Sequence, residues 1–190
     1  GRGGVRRGTE ARGREGCKRG ALGEGQQPVA DDPAHLRQAS GLLREAGARG
    51  PGVPGVACFD TSFPRSMPGM ATIYALPRAL TEAGFVRFGF HGLSCEFIIQ
   101  ELSAEDSAAA AGRIVIAHLG NGCSLTAVRG GRSLDTTMGF SPTGGLMMGT
   151  RSGDLDPEVL LRLGRGGRRS PDDLSRLVNR QSGRPVLSRT

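Results

Sequence analysis

The segment IVIAHLGNGCSLTAVRGGRSLDTTM, residues 114–138, contains three runs of strand-forming residues separated by two glycine-containing turns. The turns are Gly-Asn-Gly at 120–122 and Gly-Gly at 130–131. Two adjacent glycines between such runs are typical of a tight hairpin turn, because both central residues need a positive φ. The segment therefore predicts a three-stranded antiparallel meander.

The residues before the meander predict helices and one short strand. Asp32-Pro33 is typical of a helix start, and apolar residues at helical spacing continue to Gly47. The run VACFD at 56–60 predicts a buried strand that ends in a carboxylate. Residues 61–90 contain three prolines and indicate loop and short helix, and residues 93–102 show the apolar spacing of a helix, with Leu93, Phe97, Ile98 and Leu102 on one face.

The residues after the meander predict a glycine-rich flexible loop at 139–153 and then two helices. Each helix begins with a capping side chain followed by proline, first at Asp156-Pro157 and then at Ser170-Pro171. Residues 184–190 are expected to be a truncated tail with no closing element.

The charge of the chain lies at its ends. Residues 1–28 carry +4 and residues 162–190 carry +6, whereas residues 29–161 carry −3 within a formal net charge of +7. Residues 1–28 are low in complexity and hold little to bury, so we expect them to be disordered. Arginine and glycine in the ends leave open a nonspecific binding of nucleic acid, but without the aromatic residues that stack on bases.

Cysteine spacing and hydropathy bear on the compartment. The four cysteines at 17, 58, 95 and 123 form no C-x-x-C pair, which argues against a zinc site and against a disulfide scaffold. No apolar run reaches the length of a membrane span, and the N-terminus lacks the apolar stretch of a secretory signal. We therefore expect a cytoplasmic protein with no membrane partner.

Three features are typical of phosphate chemistry, although each has an ordinary alternative. Residues 118–122 (HLGNG) end a strand with glycines that let backbone N–H groups face an anion, but Asn-Gly is also a common turn. Asp60 closes an apolar run and can serve a metal or substrate, or simply cap a turn. Arg151 lies in a glycine-rich loop and can bind phosphate oxygens, or be a solvated arginine. His91, in Gly-Phe-His-Gly, is open in the same way.

Taken together and in order, these motifs resemble those of the acetate kinase family. The resemblance rests on VACFDTSF, RFGFHGLS, IVIAHLGNGCSLTAVRGGRSLDTTMGF and GGLMMGTRSGDLDP, and it extends from about Asp32 to Gly183. It implies an α/β, ribonuclease-H-like fold of the acetate and sugar kinase/actin superfamily, present here as an incomplete two-domain fold. Residues 29–61 would end the N-terminal domain, and residues 62–183 would begin the C-terminal domain with its phosphate-binding hairpin.

The resemblance also implies an activity and a role for each matching residue. The family transfers a phosphoryl group between ATP and acetate or another short carboxylic acid, with Mg²⁺, and is usually a homodimer. Asp60 matches the carboxylate that positions or deprotonates the acid, and His91 and Arg151 match the groups that stabilise the phosphoryl group in transit. His118, Leu119, Gly120, Asn121 and Gly122 match the ATP-phosphate loop.

The chain also departs from the family pattern. Pro64 stands where the family usually has histidine, and Asp32 stands where it has asparagine. The family's Asn-x-Gly-Ser-Ser phosphate motif, adenosine motif and metal-binding Glu have no match here, so the metal ligands stay unknown. We therefore expect a central fragment with little or no kinase activity by itself. A catalytically dead remnant or a nucleotide-binding fragment is the alternative.

Overall fold

The computed structural model describes residues 56–188 continuously, together with Glu15–Gly16, Glu45 and Ala48. The chain divides into two compact units, Gly1–Cys58 and Phe59–Thr190. In the first unit, strand β1 (Glu15–Gly16) pairs antiparallel with strand β2 (Val56–Ala57), and Glu45 and Ala48 are helical. Most of the helix predicted from Pro33 lies outside the described residues, and the predicted domain boundaries stay predictions.

Two expectations for this unit are wrong. Strand β1 lies within the segment predicted to be disordered, and it pairs through backbone groups, which do not depend on apolar side chains. The buried strand predicted at 56–60 ends already at Ala57, and the side chain of Phe59 is 54% exposed. The Ser62 N–H donates to the Phe59 carbonyl at 3.0 Å, so the chain turns where the strand was expected to continue.

Short helices lead into one long helix in the second unit. A 3₁₀ helix (Phe63–Ser66), α1 (Gly69–Thr72) and α2 (Arg78–Glu82) confirm the prediction of loop and short helix. Helix α3 (Gly92–Glu105) contains the predicted helix, and α4 (Ser107–Ala111) follows it. Pro64 is buried near the start of the 3₁₀ helix, where its missing N–H leaves no hydrogen bond unmade.

The meander is confirmed. Strands β3 (Arg113–Leu119), β4 (Cys123–Arg129) and β5 (Arg132–Thr136) form an antiparallel sheet in the order β3-β4-β5. Gly130 and Gly131 have φ values of 58° and 72°, as the predicted tight turn requires. The register pairs His118 with Ser124, which places both side chains on the same face of the sheet.

Helix α3 covers that face of the sheet. Phe63, Cys95, Ile116 and Val128 form the core, with Ile98 and Ile99 packed against it. The predicted apolar face of the helix is partly wrong, because Leu93 and Phe97 are exposed and the helix turns Cys95, Ile98 and Ile99 inward instead. On the opposite face of the sheet, Val115 is 66% and Leu119 is 75% exposed.

The residues after the sheet form an anchored loop and further helices. The predicted loop is confirmed; Met148 within it is buried, and the Asp154 N–H donates to the Gly145 carbonyl at 2.8 Å. Helices α5 (Pro157–Gly164) and α6 (Pro171–Arg180) follow, separated by a 3₁₀ turn (Arg165–Gly167). Asp156 and Ser170 cap the two helices through their side chains, as predicted.

The tail differs from the expectation, because it contains a short helix, α7 (Arg184–Leu187), with proline in its first turn. The Arg184 N–H donates to the Met148 carbonyl at 3.1 Å, so the tail is held against the loop. In the described part of the chain, no helix combines the length and the apolar composition needed to cross a bilayer.

Candidate active site

Asp60 organises the start of helix α3. Its carboxylate Oδ2 accepts from the His91 N–H at 2.9 Å and Oδ1 accepts from the Leu93 N–H at 3.3 Å, while its backbone carbonyl accepts from the Gly92 N–H at 2.7 Å. The capping role that the sequence left open is therefore present. It also brings the carboxylate next to His91, so the cap and a functional site coincide.

His91 has an unusual backbone conformation at this point. Its φ is 60° and its ψ is 30°, in the left-handed region that residues other than glycine, asparagine and aspartate rarely adopt. Such a conformation costs on the order of 1–3 kcal/mol and persists when surrounding contacts enforce it. Here the hydrogen bonds to Asp60 enforce it, and they fix where the imidazole points.

The His91 ring stacks on the ring of His118 from strand β3. The ring centroids are 3.8 Å apart and the planes differ by 15°. His91 Nδ1 lies 2.8 Å from Ser124 Oγ, and His118 Nδ1 lies 3.1 Å from Ser94 Oγ. Both Nδ1 atoms are thus engaged by serines, which leaves the two Nε2 atoms for the glycine-containing turn.

Arg151 approaches the same turn from the loop after the sheet. The Gly149 N–H donates to the Asn121 carbonyl at 3.2 Å, which holds the loop against the turn, and Asn121 Oδ1 fills the space that a Cβ on Gly149 would need. Arg151 Nη1 donates to the Pro142 carbonyl at 3.1 Å. The loop therefore presents the guanidinium beside the turn.

His91 and Arg151 converge at Gly122. A Cβ built on Gly122 would lie 3.1 Å from His91 Nε2 and 3.2 Å from Arg151 Nη1. The missing side chain thus leaves a small space bounded by an imidazole nitrogen and a guanidinium nitrogen. Such a space is suited to an anionic oxygen, because the guanidinium donates hydrogen bonds in a fixed planar arrangement.

Most of the residues predicted for the site therefore come together. Asp60, His91, His118 and Arg151 surround the turn at Gly120, Asn121 and Gly122, and Leu119 is the exception. Its side chain is exposed on the opposite face of the strand, so only its backbone belongs to the turn. Sequence reasoning missed Ser94 and Ser124, because the only local signal was their position, three residues after His91 and two after Gly122.

The described cavities lie elsewhere. A cavity of about 410 Å³ is lined by Val115, Leu125 and Ala127, which point to the sheet face opposite His118. It contains none of the predicted site residues. Size alone therefore does not identify the site, and the grouped polar side chains are the better indicator.

His91 is expected to make stability depend on pH. Burial lowers the pKa of its imidazole below the usual value, the nearby His118 and Arg151 lower it further, and Asp60 opposes them. The unfolded chain then binds more protons than the folded one between the lowered pKa and about 6.5, so stability should rise with pH through that window. Urea unfolding from pH 5 to 8 measures this.

The matched variant is His91→Asn, which tolerates the left-handed backbone but does not titrate. Its stability should change less between pH 5 and 7 than that of the wild type. An equal or steeper rise in the variant would contradict the assignment.

The fold and the comparisons together define the class. The match to the acetokinase family covers residues 28–190. Acetate kinase of Thermosynechococcus vestitus is 52% identical over 134 residues, which are 70% of this chain and 32% of that protein. The chain is therefore an α/β kinase, a phosphotransferase by class. More particularly, it belongs to the acetokinase family.

Solved structures agree with the predicted fold class. Acetate kinase of Porphyromonas gingivalis is 37% identical with a TM-score of 0.68, and the match covers 82% of this chain and 39% of that one. A propionate kinase of Francisella tularensis is 37% identical with a TM-score of 0.72, covering 80% and 38%. The chain thus spans well under half the length of the relatives it matches.

Proposed function

We propose that this chain carries the phosphoryl-transfer part of an acetate kinase. In that reaction a carboxylate oxygen of acetate bonds to the γ-phosphorus of ATP, the bond from that phosphorus to the bridging oxygen breaks, and ADP leaves; the reverse reaction regenerates ATP. The observation that supports this most is the convergence of His91 Nε2 and Arg151 Nη1 beside Gly122. The named relatives support acetate or another short carboxylic acid as acceptor.

The proposed roles follow from the charges. Phosphoryl transfer depends mainly on positioning and on stabilising the charge of the equatorial oxygens. Arg151 would donate to those oxygens from its guanidinium, and His91 from Nε2. Residues His118 to Gly122 would hold the remaining ATP phosphates through backbone N–H groups and the Asn121 side chain.

The proposed role of Asp60 is positioning. A short carboxylic acid is already ionised at neutral pH, as Asp and Glu are, so the acceptor needs no general base. Both carboxylate oxygens of Asp60 accept backbone N–H groups at the start of helix α3. The carboxylate therefore acts by fixing His91 and the edge of the acid site.

Mg²⁺ would enter with the nucleotide. Within residues 58–188, no three His, Cys, Asp or Glu side chains come together as metal ligands, so the described residues do not fit a metal site of their own. Mg²⁺ commonly binds substrate phosphates and keeps several waters. We derive no step through the ion. We also propose a cytoplasmic location and a homodimeric full-length enzyme, with no membrane or specific nucleic-acid partner.

The test uses the 190-residue polypeptide by itself. We expect calorimetry to detect MgATP binding and a hydroxamate assay to detect no acetyl phosphate, because the chain spans only 32% to 39% of the relatives' length. Arg151→Ala should weaken MgATP binding by roughly ten-fold or more, the effect of losing a charged hydrogen bond. Acetyl phosphate formation by the polypeptide would refute the expected inactivity.

Arg168→Ala is the matched control, because Arg168 is exposed and removes the same charge. Its MgATP affinity should equal that of the wild type. Equal losses in the two variants would point to nonspecific attraction by the basic chain. Absence of MgATP binding in the wild-type polypeptide would count against a phosphate site formed by these residues.

A further inference from the structure

Two histidine–serine pairs lie side by side in the site. Ser124 on strand β4 contacts Nδ1 of His91, and Ser94 in the first turn of helix α3 contacts Nδ1 of His118. The two rings are stacked, so the pairs run in the same sense. In each pair Nε2 is the nitrogen nearest the turn, His91 Nε2 at Gly122 and His118 Nε2 at Gly120.

Ser124 cannot meet a substrate itself. Its side chain is 1% exposed, so its hydroxyl acts only through a protein neighbour. Across the part of the chain that the structure describes, the hydrogen bond to His91 is the one that Ser124 Oγ makes. Whatever Ser124 contributes to the site therefore passes through the imidazole.

The direction of that hydrogen bond follows from the burial. A neutral imidazole has one donor nitrogen and one acceptor nitrogen. If Nδ1 carried the proton, Ser124 would accept it, and the hydroxyl hydrogen would be buried without an acceptor. If Nδ1 is the acceptor, the hydroxyl donates to it and both groups are satisfied.

We infer that Ser124 is a positioning residue that donates to Nδ1 of His91 and so keeps the ring proton on Nε2, the nitrogen that faces Gly122 and Arg151. The inference deepens the proposed function, since a proton on Nε2 makes His91 a donor to a phosphoryl oxygen in the proposed reaction. Its geometry does not depend on that reaction. Ser94 has the corresponding place beside His118.

The charged neighbours fit a neutral ring. Arg151 and His118 face His91 and disfavour a second positive charge, whereas Asp60 at the start of helix α3 favours it. The pKa of His91 is lowered on balance, mainly by burial. At neutral pH the ring is therefore uncharged, and the choice between its two tautomers decides which nitrogen donates.

The test is long-range ¹H–¹⁵N NMR of the 190-residue chain with ¹⁵N-labelled histidine, without nucleotide, above pH 7. We expect the wild type to show the proton of His91 on Nε2 and a hydrogen-bonded acceptor at Nδ1. Ser124→Ala should move the Nδ1 signal to that of an unbonded nitrogen and populate the Nδ1–H form. Ser124→Thr keeps the hydroxyl and should restore the wild-type signal.

The matched control is Ser133→Ala. Ser133 is another fully buried serine of the same sheet, but its hydroxyl has no hydrogen-bond partner, so the His91 signals should not move. Ser94→Ala, at a half-exposed position, should move the Nδ1 signal of His118 and leave that of His91 in place.

Two results would overturn the inference: a wild-type His91 protonated on Nδ1, or an Nδ1 signal unchanged in Ser124→Ala. The first needs no variant, so it decides the matter even where Ser124→Ala fails to fold. Neither readout involves ATP. A failed inference is therefore distinguishable from a failed kinase proposal, which would appear as absent MgATP binding.

Discussion

Gly92→Ala is expected to destabilise the second unit more than any other single methyl addition at the site. A Cβ on Gly92 would overlap the Asp60 carbonyl oxygen and lie 3.2 Å from the Phe63 nitrogen. Because both neighbours are backbone atoms, neither can rotate away, and the junction that holds His91 must open. We expect a loss of roughly 2–3 kcal/mol in the free energy of unfolding, at the upper end of overpacking effects.

Urea unfolding followed by circular dichroism measures this loss. Gly69→Ala is the matched control, because nothing lies within 4 Å of a Cβ at Gly69, which also begins a helix. Its stability should stay within about 0.5 kcal/mol of the wild type. Similar stabilities for the two variants would mean that the Asp60–Gly92 contact is looser than the structure has it.

Gly122→Ala is expected to abolish phosphate binding while the fold remains. The added methyl would lie 3.1 Å from His91 Nε2 and 3.2 Å from Arg151 Nη1, both ends of side chains that can shift slightly. It would nevertheless occupy the space in which an anionic oxygen would be bound. Losing hydrogen bonds to charged groups should weaken MgATP binding by roughly ten- to hundred-fold.

Calorimetry with MgATP measures the loss, and a urea titration checks that folding is retained. Gly69→Ala again serves as control and should bind as the wild type does. If Gly122→Ala binds MgATP normally, the phosphate lies elsewhere, and the proposed roles of His91 and Arg151 fail with it.

The meander could be predicted because its signals are local. Gly130-Gly131 permits one kind of turn, and the runs on either side have strand composition. Strand β2 could not be delimited in this way, because the turn at Phe59 to Ser62 is a backbone hydrogen bond that apolar composition does not reveal. The inward face of helix α3 also escaped, since several apolar residues competed for it and packing decided.

The site was predictable only in part. Taken alone, residues 118–122 indicate an ordinary turn as readily as a phosphate loop, and Asp60 indicates a cap. The resemblance to a family, rather than spacing, joined them to His91 and Arg151. Ser94 and Ser124 were beyond both approaches, because they meet the histidines over 24 and 33 residues of chain.

The long-range character of these contacts has a consequence for folding kinetics. Asp60 reaches His91 over 31 residues and His91 reaches Ser124 over 33, whereas strands β3, β4 and β5 pair with their immediate neighbours in sequence. Closing long loops costs entropy before the contacts that reward it exist, so non-local structure generally forms late. We expect the meander to act as the folding nucleus and the histidine pair to assemble last, so that amide hydrogens at residues 91–93 exchange well before those of strand β4.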